Sequence, residues 1–252
     1  MLAIPTIAVY NQSSILGDTE VDKACQAIDK QVKNHVFNAW GLTANVVFKP
    51  NTVPLDPTWW RVLVLDNSDI AQALGYHDFT PQGMPEGKVF AKSDAAAGLN
   101  WTVTLSHEVL EMLIDPDIVR CAFDDNISRL WAYEVCDACE ADSDGYIITV
   151  GDPVDILVSD FVFPAYFEPF NNIGPYDYQQ KITRPFQVLP GGYMSILDVG
   201  NNLGWQSIFG QRVLASDPSQ MVPGSRAHLR PVVGSRRERR RVKKSTWMKS
   251  TK

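Results

Sequence analysis

His107, Glu108 and Glu111 are the residues whose types and spacing could do chemistry together. They lie in the run TLSHEVLEMLID, Thr104 to Asp115. At about 100° per residue, His107, Glu111, Thr104, Asp115 and Glu108 fall within one arc of about 100°. The rest of the helix surface is apolar except for Ser106. A helix apolar over most of its circumference is mostly buried, so its polar stripe either meets water at a surface or lines a cleft. A solvated acidic edge is the plain reading of such a stripe. The cleft reading has chemistry in it. His107 and Glu111 are one turn apart and can reach a single metal ion, while Glu108 points to the side where an attacking water would sit.

Several elements must position that helix. Ala3 to Tyr10 reads as a strand. Asp18 reads as an N-cap, followed by a helical pattern from Val21 to Trp40 that Gly41 ends. Thr43 to Phe48 and Arg61 to Leu65 read as short strands. Residues 67–87 carry Gly75, Pro81, Gly83, Pro85 and Gly87 and read as a long loop. Lys88 to Lys92 reads as an edge strand flanked by charge. The helix with the polar stripe starts near Asn100 to Thr102 and stops at Asp115, before Pro116. Beyond it, Leu130 to Val135, Tyr146 to Val150 and Ile156 to Phe163 read as strands. Residues 164–210 read as packed irregular structure.

On these residues the stretch resembles the signature helix of the zincin metallopeptidases, H-E-x-x-H, in which two His bind zinc and the Glu is the general base. The extended run Ser106 to Pro116 also resembles metallopeptidase-like proteins of bacteria and their phages. The resemblance implies an α+β fold: a twisted mixed sheet with a backing helix, an edge strand, then the signature helix. A β- and loop-rich lower subdomain and a basic C-terminal arm would follow. The expected division is 1–116, 117–210 and 211–252. The resemblance also implies a zinc peptidase acting on a peptide or protein substrate, with His107 a ligand and Glu108 the base. The sequence departs from the pattern at Glu111, where the second His would stand. A carboxylate binds zinc at about 2.0–2.2 Å, so H-E-x-x-E can still hold an ion, with manganese or calcium better tolerated.

A catalytic zinc usually has three protein ligands. One zincin branch takes the third from a Glu some twenty residues beyond the signature. Glu134 stands 23 residues past Glu111. Asp137 and Asp115 compete with it, and a carboxylate that does not bind could orient His107. By the same resemblance, the turn at Pro190 to Met194 puts forward Tyr193 as an oxyanion stabiliser, though packing after a Gly-Gly turn explains it equally well. Glu140 to Gly145 resembles half of a calcium loop, but a tight Asp-Gly turn is the simpler reading. Cys136 and Cys139 form a lone C-x-x-C, read as buried free thiols in preference to a three-thiolate zinc site with Cys121. His35, His77 and His228 have no local partners.

The net charge of −6 over 252 residues averages two opposites. Residues 1–210 hold 11 of the 23 Lys and Arg and 27 of the 29 Asp and Glu, a net of −16. Residues 211–252 carry +10. Fourteen acids and two bases lie between His107 and Asp160, so a bound cation is expected there. The tail residues Arg236, Arg237, Arg239, Arg240, Arg241, Lys243 and Lys244 suit nucleic acid or acidic protein subunits. A composition with seven Trp and eleven Phe excludes disorder throughout. No apolar run is long enough to span a membrane, and the N-terminal run lacks the features of a signal peptide. A reducing, cytoplasmic setting with free thiols is expected, or a place in a virion. The alternative to a peptidase is a non-catalytic virion protein that keeps the fold and is anchored by its arm.

Overall fold

A computed structural model describes residues 4–69, 73–151, 153–201 and 203–210. The tail residues Arg236 to Lys244, and His228, lie outside the described residues. The fold is mixed α+β, with three sheets.

The first sheet has the order β2-β1-β3-β5-β4. Strand β1 (Thr6–Asn11) leads into helix α1 (Asp18–Lys30), a π-helical turn (Gln31–Val36) and α2 (Phe37–Trp40), which Gly41 closes. Strands β2 (Asn45–Pro50) and β3 (Trp60–Leu65) pair parallel on either side of β1. The near-continuous apolar runs of β1 and β3 suit strands covered on both faces. Val21, Ala24, Cys25 and Ile28 of α1 share one core with Ile7, Val9, Val62 and Val64 of the sheet.

Residues 67–87 are not the long loop expected. Strand β4 (Gly75–Phe79) turns back into β5 (Pro85–Phe90), antiparallel, with His77 opposite Gly87. The breakers misled because each has a positional role here. Pro85 takes the first place of its strand, where a missing N–H is tolerated. Thr80 closes the turn through its backbone to Met84 and Gly83. Strand β5 is interior, parallel to β3, and β4 is the edge. Lys92, expected in the edge strand, belongs instead to the short helix α3 (Ala91–Ala97).

Helix α4 (Trp101–Ile114) follows and carries His107. Asn100 caps it, its side chain accepting from the Thr102 N–H. At the far end the Asp115 carboxylate accepts from the N–H groups of Val119 and Arg120. That turn places Ile118 at φ 51°, an uncommon backbone for a β-branched residue.

The remainder is more regular than expected. Strands β6 (Cys121–Asp124) and β7 (Arg129–Ala132) form a hairpin. Strands β8 (Tyr146–Val150) and β9 (Val154–Val158) form a second. Within the stretch expected to be irregular, β10 (Tyr193–Asp198) and β11 (Gln206–Phe209) form a third, and β10 also pairs with β7. β10 is held by β7, more than sixty residues away, and β11 in turn by β10, so local pattern missed both. One apolar core runs from Ile7 through Leu110 and Met112 of α4 to Met194 and Ile196 of β10. Among the described residues, no helix is long and apolar enough to cross a membrane.

Candidate metal centre

The polar stripe of α4 is not a solvated edge. His107 and Glu111 are each 1 % exposed, Glu108 is 0 % exposed, and Asp115 is fully buried too. Apolar neighbours hold the helix from every side, and its other polar groups are used for attachment. The Ser106 hydroxyl accepts from the Ser159 N–H at 2.6 Å, and Thr104 donates to Asp94 at 2.8 Å. Thr102 donates to the Leu157 carbonyl at 2.5 Å, so β9 is bound to the start of the helix.

Three segments converge on His107. Its Nε2 lies 3.1 Å from Oε2 of Glu111 and 3.2 Å from Oδ1 of Asp137. Asp137 sits on a 3-10 turn (Asp137–Cys139) that β10 presses into place. A Cβ on Gly192, just before β10, would stand 2.7 Å from the carbonyl oxygens of both Asp137 and Ala138. The Cys136 N–H donates to Oε1 of Glu111 at 3.3 Å, fixing the carboxylate from the other side. Edge strand β4 supplies His77, whose Nδ1 lies 3.4 Å from Oε2 of Glu108 and 3.8 Å from Oε2 of Glu111.

Among the described residues, three sets of side chains could therefore hold a metal ion. They are His107, Glu111 and Cys136; His107, Asp137 and Glu140; and His77, Glu111 and Glu134. In each set the ligand atoms lie within 4.8 Å of one another. The donors fit a divalent cation, since each set combines an imidazole with carboxylates or a thiol. Burial, with Asp137 and Glu134 adding negative charge, pushes the Glu111 carboxyl up to about 8, against the pull of His107. Burial and the nearby Glu111 likewise push the Cys136 thiol well above its ordinary value.

The structure brings together His107, Glu108, Glu111 and Asp137, and places Glu134 at the partly exposed margin beside Glu111. Asp115 is instead engaged with backbone N–H groups. Tyr193 opens β10, its ring 6.1 Å from that of Phe209. Asp142 and Asp144 serve a tight turn and its attachments: Asp142 accepts from the Asn100 N–H, and Asp144 pairs with Lys181. All four cysteines are free, and among the described residues no metal-binding set joins three of them. His35 is a packed residue, stacked on Tyr178 at 4.5 Å and bonded to the Tyr146 hydroxyl.

His77, Cys136 and Glu140, which belong to sets able to hold an ion, were missed as candidates. Glu140 was weighed for a calcium turn, yet its side chain faces inward. His77 left one usable signal: it alternates with Gly75 and Phe79 in a short run upstream of the helix.

Gly75 lets β4 approach that closely. A Cβ there would stand 2.6 Å from Cγ2 of Thr104 and 2.8 Å from Oε1 of Glu108. The helix is held by its own core and cannot easily retreat. Gly75→Ala is therefore expected to destabilise the fold by about 1–3 kcal/mol, as overpacking does, measured as a lower urea midpoint.

A second buried acid pair lies outside this cluster. Oδ1 of Asp160 accepts from the N–H groups of Phe161 and Gln179, and Asp177 accepts from those of Lys181 and Ile182. Burial, then the neighbouring Asp177 carboxyl, raises Asp160 from 3.8 to about 9. The folded state thus holds a proton that the unfolded chain releases near 3.8. This contribution to stability is complete below that value and is lost as pH rises towards about 9. Asp160→Asn mimics the protonated acid. Its urea midpoint at pH 8.5, relative to pH 5, is expected to fall less than that of the wild type.

Comparison with family models, with curated proteins and with solved structures gives no match for this chain, so the reading of the site rests on its own geometry.

Proposed function

We propose that this protein is a zincin-like, metal-dependent hydrolase of amide bonds, with zinc its first-choice ion. The observation that carries the reading is that Glu111 and Asp137 each approach His107 Nε2, at 3.1 and 3.2 Å, while Glu108, one residue along, lies beside His77. The parallel strands of the first sheet and the antiparallel edge strand β4, followed by β5 and α3 before α4, support the same reading. A cation held there supplies Lewis acidity to a substrate carbonyl. His107 would hold it, together with either Glu111 and Cys136 or Asp137 and Glu140, and the Cys136 N–H keeps Glu111 turned towards His107. Glu108 takes the proton from the attacking water and returns it to the leaving nitrogen. The low-dielectric surroundings strengthen every charge interaction in that step.

Burial favours a second reading. His77, His107, Glu108, Glu111, Asp137 and Glu140 are all at most 2 % exposed, which suits an ion that supports the fold without turnover. In that reading the protein is structural, for example a virion component. In either reading the basic tail contacts nucleic acid or acidic subunits, and deleting residues 226–252 should abolish DNA binding and particle incorporation. Elemental analysis together with hydrolysis of an unfolded protein separates the readings. Metal with hydrolysis supports the hydrolase, metal without hydrolysis supports the structural protein, and no metal rejects both.

A further inference from the structure

We propose that the centre holds two divalent cations, the second bound by His77, Glu111 and Glu134, with Glu111 shared between them. This rests on the metal-binding part of the reading above and adds a site and three ligand roles to it.

The argument begins with His77. Its side chain comes from edge strand β4, is 2 % exposed as a residue, and faces two carboxylates through Nδ1 at 3.4 and 3.8 Å. Its Nε2 is buried and has no hydrogen-bond partner among the described residues. A neutral imidazole carries one N–H and one lone pair. If Nδ1 bears the hydrogen, the lone pair on Nε2 is left unused in a buried place. If Nε2 bears it, the Nδ1 lone pair points at two carboxylates. In the first arrangement the Nε2 lone pair has no partner, and in the second the Nδ1 lone pair has one only if a facing carboxyl keeps its proton; a buried polar group without a partner is costly. A cation bound to either ring nitrogen takes up that nitrogen's lone pair and lets the neighbouring carboxylates ionise.

Geometry then assigns the partners. His77, Glu111 and Glu134 present ligand atoms within 4.8 Å of one another. No such set contains both histidines, so His77 does not complete the His107 site. What the two sites have in common is Glu111. A carboxylate has two oxygens and about four lone-pair positions, enough to serve two ions. Cations bridged in this way lie about 3.5–4 Å apart in two-metal hydrolytic sites. The replacement of the second helix histidine by Glu111 thereby gains a purpose, because imidazole could not bridge in this way. The imidazole absent from the helix is supplied by β4 to the second ion.

Charge points the same way. Five carboxyls, Glu108, Glu111, Glu134, Asp137 and Glu140, surround two imidazoles. One divalent ion leaves that set well short of neutral, and a second brings it close.

The test is metal stoichiometry of the full chain, by equilibrium dialysis against buffered Zn²⁺, with Mn²⁺ spectra as a second readout. The wild type is expected to bind two ions and to show the magnetic coupling of a bridged Mn²⁺ pair. His77→Ala and Glu134→Gln are each expected to bind one ion and lose the coupling. Glu134 is partly exposed, so its variant remains informative if His77→Ala does not fold. A wild type that binds one ion, or a Glu134→Gln variant that still shows a coupled pair, overturns the proposal. Hydrolysis with one ion leaves the hydrolase reading standing without the second site. Two ions bound without hydrolysis supports the second site and rejects the hydrolase.

Discussion

Replacing Glu108 by Gln is expected to cut hydrolysis of an unfolded protein substrate by about 10²–10⁴-fold, the usual worth of a positioned proton-transfer group. Bound metal should be unchanged. The two expectations belong together, because Glu108 lies outside the three sets of potential ligands while touching His77. Gln is nearly the same size and keeps an oxygen acceptor, so packing against Gly75 and Thr104 is conserved. What it loses is the ability to take a proton. His107→Ala must behave differently, losing metal and hydrolysis together, because it removes the imidazole that Glu111 and Asp137 approach at 3.1 and 3.2 Å. Matched measurements of metal content and initial rate on both variants check the distinction.

Removing the metal is expected to destabilise the fold as well as to stop turnover. The candidate ligands come from β4, α4 and the segment from Glu134 to Glu140, so an ion there clamps elements far apart in sequence. An ion that binds the folded chain, present at a hundred times its dissociation constant, stabilises by about 2.7 kcal/mol. For a domain of this size each kcal/mol is worth about 2–4 °C, so a chelator should lower Tm by about 5–10 °C. Restoring Zn²⁺ should recover it. Without the ion, the buried carboxyls around His107 must take up protons or repel one another, as the raised Glu111 already indicates.

The helix of the site was legible because its information is local. The fourteen residues of α4 divide between an apolar face and a polar stripe, Asn100 caps one end, and Pro116 marks the other. The acidic excess after His107 also pointed correctly to a region able to hold a cation. What local pattern could not show is which acids turn inward. Asp115 and Asp137 look alike in the sequence. One accepts from backbone N–H groups at a helix end, and the other is pressed towards His107 by a turn that Gly192 lets β10 approach. The hairpin of β4 and β5 was hidden for a related reason. Its glycines serve close packing against α4 and Val62, and its proline opens a strand, so chain-breaking residues marked an element instead of a gap. His77 was lost with that hairpin. Strand β10 owes its form to β7, distant in sequence, and β11 follows from β10, which periodicity does not record.

The central claim is that the buried group around His107 binds a divalent cation. Elemental analysis of the full chain, purified without chelator and dialysed against trace buffered Zn²⁺, tests it most directly. The account predicts at least one ion per chain in the wild type and in Glu108→Gln, with the His107 ion lost in His107→Ala. A wild type that neither retains an ion nor takes one up, with a Tm indifferent to chelator, would contradict it.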